Sequence, residues 1–521
     1  MSRMYLDKQH NPLKNKELIF QYTNLKGRLG QAVKETDTIF EYLYKNESFH
    51  PKDFSRSGNF LSRLVVKKGQ ALPLHPGETK VDHDGNAFPF WKEELEREYR
   101  RLEANVTREV SVTDFGAVGD GRTDCTAAFK KAIGSGLAKV HIPEGTYIVR
   151  GIRVPSWTIL KGAGKGKTVL KLHDSCRKNE WVVTNSRHFL GNRSIFIESM
   201  SLDWNVERLG KETKTSAGNN RSSCLTLANV RLAWVKDVEA INGGLHGFDV
   251  SSSIYTYLGD GTRARGGSKY IWLDNLNGYG FGDDGITTHH SDYILISNSH
   301  MCDPSGRAHK RGFSNSNGIE IDDGSRNVWL VNNSTTRCFG GVEIKAHHNV
   351  SAASGVHIIG HLSVEDNRSY NFRHIGHHKQ EDPESLTAYN IKATGLVSIR
   401  PIHTALYEGS KPRGMVISAY RNVVINHFVL EGDPDYDYQG EPVIAVQYMA
   451  RNISLSHISL KNFKKAGSAI KVFGGDNKAD YLDINHVSID DYKNHGIEVG
   501  RHTKRAAGSM PKPEPAGFPG N

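Results

Sequence analysis

GIEIDDGSRNVWLVNNSTTRCFGGVEIK, residues 318–345, contains one five-residue phrase twice: GIEID at 318–322 and GVEIK at 341–345, 23 residues apart. Each copy places an acid between two branched apolar residues, directly after a glycine. Side chains alternate across a strand, so the branched pair faces one way and the acid the other. Between the copies runs an Asn-led apolar stretch, and the same unit recurs further on. RNVVINHFVLEG (421–432) precedes PVIAVQY (442–448), and RNISLSHISLKN (451–462) precedes SAIKVFG (468–474). ADYLDINHVSID (479–490) with HGIEVGR (495–501) ends the series. Periods of 23 to about 38 residues, with loops in the longer ones, describe stacked coils that share one apolar column. The expected fold is all-β, a right-handed parallel β-helix over 108–502 with three short strands per coil. A β-sandwich would need hairpin turns between its strands and would not align into a ladder.

Aligned on the glycine, successive rungs read GFDVS (247–251), GITTH (285–289), GIEID, GVEIK and NFRHI (371–375). The second and fourth positions, such as Ile319/Ile321 and Val342/Ile344, form the inner column. The third and fifth face out: Asp249/Ser251, Thr287/His289, Glu320/Asp322, Glu343/Lys345 and Arg373/Ile375. Rungs stack about 4.8 Å apart, so Glu320 and Glu343 become vertical neighbours on an outer face, with Asp322 beside them. Like charges that close are costly unless a proton, cation or ligand intervenes. The bland reading is that Glu343 merely pairs with Lys345 or Arg373. Later rungs carry Val416, Ala445, Lys471 and Glu498 at the third position, so the repeat belongs to the fold and the acids mark a patch.

The remaining sequence frames that patch. Among 521 residues, 67 Lys and Arg against 57 Asp and Glu give a net charge of +10, which suits an anionic polymer. No zinc-finger, RRM, KH or basic-helix signature points to nucleic acid. No apolar run is long enough to span a membrane, and the first twenty residues lack a secretory h-region. Five scattered cysteines without CxxC spacing suggest neither a disulfide framework nor a zinc site. Residues 1–107 read as a separate region for attachment or oligomerisation. Its helix at 91–106 carries Leu95, Tyr99 and Leu102 on one stripe, suited to seeding a bundle or to packing on its own domain. Residues 503–521 read as a flexible tail.

VSVTDFGAVGDGRTDCTAAFKKAI (110–133) and HIPEGTYIVRGIRVPSWTILKGAGKGKTVLKL (141–172) resemble the opening of pectate-lyase-like β-helix proteins. The resemblance implies that TAAFKKAI (126–133) is a helix capping the open end of the solenoid. The ladder is similar to that of polygalacturonase-type glycoside hydrolases at GLHGFDVSSS (244–253), GDDGITT (282–288), NGIEI (317–321) and GVEIKA (341–346). The likeness maps Asp283 and Asp284 onto that family's paired acids and Lys345 onto its lysine. It also sets His246 at the place of a catalytic Asp, Asn317 at that of a His, and Glu343 at that of an Arg. The lost arginine argues against a galacturonan substrate. The N-terminal appendage and the β-helix together resemble bacteriophage tailspike or pre-neck appendage depolymerases. That resemblance implies synthesis in a host cytoplasm, release by lysis, a place in the virion tail, contact with other tail proteins, and a homotrimer.

These readings give Asp283, Asp284, Glu320, Asp322 and Glu343 as catalytic candidates, with Asp284 or Glu320 as the acid of a glycosidase. His246, Asp249, His289, His290, Asn317, Lys345, His347 and Arg373 are candidates for substrate contact. The expected substrate is a bacterial surface polysaccharide or teichoic acid, cut without a cofactor. Two alternatives are a lyase acting on a uronate polymer, with Lys345 as base and a divalent cation on the acids, and a non-catalytic receptor binder.

Overall fold

In the computed structural model, which describes residues 4–45, 66–67, 77–212, 214–490, 496–501 and 503–504, the Asn-led strands begin at a fixed corner of each coil. Asn327, Asn390, Asn422 and Asn452 all have φ between 54° and 61°. Asparagine, with its short polar side chain, enters this left-handed region more readily than most residues other than glycine. Its amides also pair between coils: Asn452 Nδ2 donates to Asn422 Oδ1 at 2.7 Å, and Asn422 Nδ2 to Asn390 Oδ1 at 3.1 Å. A second corner is made by another left-handed column: Asn332, Gly360, Gly395, His427, His457 and His486. Because one residue makes this bend, two of the three expected short strands run on as one, as in Arg326–Thr336 and Ser354–Val364.

Among the described residues the coils form two long parallel sheets, of eighteen and twelve strands. Both turn an apolar face inward. Ile319, Ile321, Val342 and Ile344 are fully buried in one continuous interior cluster, as their alternation requires.

The N-terminal segments lie along the outer face of the eighteen-stranded sheet. α1 (Asn15–Thr23) sets Ile19 against Leu362 and Val397. α2 (Leu29–Lys45) buries Leu29 and Val33 with Val331 and Ile359, and Phe40 and Leu43 with Val424. α3 (Lys92–Asn105), the helix expected at 91–106, packs on the strands of the β-helix. Leu95 and Leu102 are buried, and Tyr99 meets the rings of Phe196 at 4.8 Å and Trp234 at 5.4 Å. α4 (Thr126–Ile133) caps the solenoid, with Phe129 and Ile133 joining the interior cluster. Beyond Thr503 and Lys504, the expected tail lies outside the described residues. No described helix is long and apolar enough to cross a membrane.

Candidate active site

Five neighbouring strands of the twelve-stranded sheet carry the acid patch: β1 (Phe248–Ser251), β2 (Ile286–Thr288), β3 (Asn317–Ile321), β4 (Gly340–Ala346) and β5 (Arg368–His374). The register sets Asp249 opposite Thr287, Thr287 opposite Glu320, and Glu320 opposite Glu343. Glu320 and Glu343 are therefore vertical neighbours. The column continues through Asn371, Val416, Ala445, Lys471 and Glu498. One rung corrects the sequence alignment. Asn371, not Arg373, stands opposite Glu343, while Arg373 stands opposite Lys345. A slip of two residues keeps every side chain on its own face, so alternation alone could not detect it.

A second column precedes the rungs. Gly247 N–H donates to Asp284 O and Gly285 N–H to Asn317 O, which stacks His246, Asp284 and Asn317. Asn317 Nδ2 then bridges two coils, donating to Asp284 Oδ1 at 3.0 Å and Glu320 Oε1 at 2.9 Å. Lys345 Nζ lies 2.7 Å from Glu320 Oε1 and 3.7 Å from Asp322 Oδ2. His289 spans Asp249 and Asp322, at 3.7 and 3.6 Å. His246 spans Asp249 and Asp284, at 3.9 and 3.6 Å. Glu343 accepts from Asn371 Nδ2 at 2.9 Å and Arg373 Nε at 2.5 Å, the bland pairing for this one acid.

The expected open outer face is closed over. Asp249, Asp284, Glu320, Asp322 and Glu343 point away from the coil interior, yet each is at most 2 % exposed. The segments that cover them supply partners the rungs did not reveal. Tyr255 stacks on His289 at 4.7 Å and its hydroxyl lies 3.1 Å from Nδ1. His309, in the insertion between β2 and β3, comes within 3.0 Å of Asp283. Asp323, beside Asp322 in EIDDG, accepts from His347 N–H at 2.9 Å and pairs with its ring at 3.1 Å. His290 Nδ1 lies 3.3 Å from the backbone N–H of Ala264, and its side chain faces that covering segment.

Burial and crowding separate the protonation states. Burial, then the charges of Asp283 and Glu320, push Asp284 well above the ordinary carboxylate range. Burial would raise Asp283 as well, but its contact with His309 holds it below the usual value. Burial pushes Glu320 up to about 7 against the pull of Lys345, with Asp322 and Glu343 adding to the rise. For Asp322 burial is outweighed by Lys345 and His289, which keep it ionised. His289 stays charged despite burial because Asp249 and Asp322 flank it. Burial brings His246 down to about 4, leaving a neutral imidazole at pH 7. Despite its burial, Lys345 is held as an ammonium by Glu320, Asp322 and Glu343. Asp283 is the most exposed of these acids, its side chain 15 % accessible, and its partner His309 lines a cavity of about 460 Å³ with Ser305, Arg307, Arg311, Ser314 and Leu406.

A parallel solenoid is also the fold of similar proteins. A family model described as rhamnogalacturonase A/epimerase, pectate lyase-like, matches residues 109–343. The phage-related protein YobO of Bacillus subtilis (strain 168) is 48% identical over 465 residues, 88% of this chain and 57% of that protein. The pre-neck appendage protein of Bacillus phage phi29 is 45% identical over 395 residues, 75% of this chain and 45% of that one. The crystal structure of the N-terminal fragment of phi29 gene product 12 superposes with a TM-score of 0.71 at 41% identity, covering 80% of this chain and 67% of that one. The protein is thus a pectate-lyase-like right-handed β-helix. Within that class, the chain belongs to the family of phage pre-neck appendage proteins. It spans about half the length of the curated relatives it matches.

Proposed function

We propose that this chain is the β-helix of a phage appendage that hydrolyses glycosidic bonds in a bacterial surface polysaccharide or teichoic acid. The observation that carries this reading is the unlike setting of two adjacent carboxyls: Asp283 lies 3.0 Å from His309, which favours its ionised form, while Asp284, 1 % exposed beside Asp283 and Glu320, is pushed toward its protonated form. A glycosidase needs that pair, one group to protonate the departing oxygen and one to activate water or attack the sugar. Asp284 is the acid, with Glu320 on the next coil sharing its proton inventory through Asn317. Asp283 is the base or nucleophile, at the solvent end of the cluster. His246, His289 and Lys345 fix the orientation of the acids. Attachment to virion tail proteins, association into a trimer and synthesis in the host cytoplasm complete the reading, and a sedimentation mass equal to a monomer would remove the trimer.

Lyase chemistry fits less well. A base must give up its proton before it can take one, and Lys345 is kept charged by three carboxylates. Its ammonium also sits between Glu320 and Asp322, where it competes with a divalent cation for those two acids.

The test is incubation with purified surface polymers of host bacteria, beginning with those of Bacillus, and sizing of the fragments. Hydrolysis releases reducing ends without the near-UV absorbance of a new C=C bond. If Asp284→Asn and Glu320→Gln both leave depolymerisation intact, the site is wrong.

A further inference from the structure

The column that carries Asp284 changes chemistry along the solenoid. Asp284 is followed by Asn317, then Gly340, then Arg368, and then Arg413. On the neighbouring column Arg373 stands one coil beyond Lys345. Arg368 and Arg373 converge on a cavity of about 200 Å³, also lined by His378, Tyr407, Ser410 and Gln447. Among the described residues no carboxylate lines it. Glu343 lies behind Arg373 with no exposed surface, and Arg413 is paired with Glu441.

Arg368 is the group left over. Among the described residues it makes no ion pair. Its Nη1 lies 3.5 Å from Asn371 Oδ1, its guanidinium 5.9 Å from the Phe339 ring, and its buried Nε has no hydrogen-bond partner. Burial, Arg373 and Arg413 push it down to about 10, the mark of a cation short of a counter-charge. An unpaired, largely buried cation is costly, and a planar guanidinium is the side chain best shaped to take two oxygens of a phosphate or carboxylate.

We infer that Arg368 and Arg373 form an anion subsite that binds a phosphate or uronate group of the polymer, on a repeat beyond the one being cleaved. The three coils from Asp284 to Arg368 span about 14 Å at the usual spacing between strands. That is too far for one group to touch both, so the subsite sets direction and selectivity along the solenoid. The inference rests on the hydrolytic reading for its place in the reaction, and it is tested by binding alone.

The experiment uses the full chain carrying Asp284→Asn, so that nothing is cut during the measurement. Three probes of matched length are titrated calorimetrically: a glycerol-phosphate oligomer, a galacturonate oligomer and a neutral glucose oligomer. An anionic probe should bind about 10- to 100-fold more tightly than the neutral one, the range for one charged hydrogen-bonding contact. Adding salt should weaken that preference. Whether the phosphate or the uronate probe leads identifies the source of the anion. Arg368→Gln should erase the preference at unchanged neutral-probe affinity, and Arg368→Lys should keep part of it. Equal binding of all three probes, no preference for either anion, or a preference that survives Arg368→Gln overturns the subsite. Failure of the wild-type chain to cut any polymer would remove the hydrolytic reading and leave this result standing.

Discussion

The two long sheets rise from the same coils, yet their outer faces are closed in opposite ways. On the eighteen-stranded sheet the outward residues Trp329, Ile359, Val397 and Val424 are apolar, and α1 to α3 bury them with Ile19, Leu29, Val33, Phe40 and Leu95. On the twelve-stranded sheet the outward residues Asp249, Glu320, Asp322 and Glu343 are equally buried, but beneath histidines, a lysine, an arginine and a tyrosine. The first face gains from leaving water. The second gathers charges that oppose their own burial and holds them by pairing. One face attaches the N-terminal segments and the other keeps carboxyls at unequal protonation. A face that stored charge only for stability would be a poor use of it, since apolar packing of similar volume does as well.

The sharpest way to break the comparison is to neutralise the polar face. Asp284→Asn should lower the rate of polymer cleavage by about 10²- to 10⁴-fold, the usual worth of a positioned acid, with little change in the unfolding midpoint. A loss of stability as large as the loss of rate would make the acid structural.

On the apolar face the effects should reverse. Phe40→Ala, on the buried side of α2, should cost about 3–5 kcal/mol in denaturant unfolding while cleavage per folded molecule is retained. An unchanged unfolding curve would mean that the α2 contact adds nothing to the solenoid.

A pH titration separates the faces next. Glu320 sits at about 7 in the folded chain against an ordinary 4.5, so the native state keeps a proton that the unfolded chain has lost between those values. Stability should therefore fall as pH rises through that window, by at most roughly 1.4 kcal/mol per unit, and level off above it. Glu320→Gln should flatten this slope, and the two proteins should match below about pH 4.5, when scanned calorimetrically. A slope of the opposite sign would place Glu320 among the ionised partners of Lys345.

The smallest effect is expected where the faces' chemistries mix. Glu35 of α2 meets His427 at 3.3 Å and His457 at 3.6 Å, at the second corner of the coils. These groups are partly exposed, so Glu35→Ala should cost under about 1 kcal/mol. A larger loss at pH 6 than at pH 8 would show that protonated histidines strengthen the pairing.

The sequence alone determined the period, the inward column and the vertical pairing of Glu320 with Glu343. Each of these follows from two-residue alternation and repeated spacing, which are local. It also placed the apolar stripe of α3, whereas the capping helix at 126–133 came from the resemblance to pectate-lyase-like proteins. Alternation is blind to shifts of two residues, so the NFRHI rung was set against the wrong partner. Spacing says nothing of what folds over a strand, so Tyr255, His309 and Asp323 were missed, and the acids were expected in the open. Only the tertiary structure decided which sheet the helices cover, and which acids keep their protons. Both depend on burial and on charges brought together from distant coils, and neither is written in any single stretch of the chain.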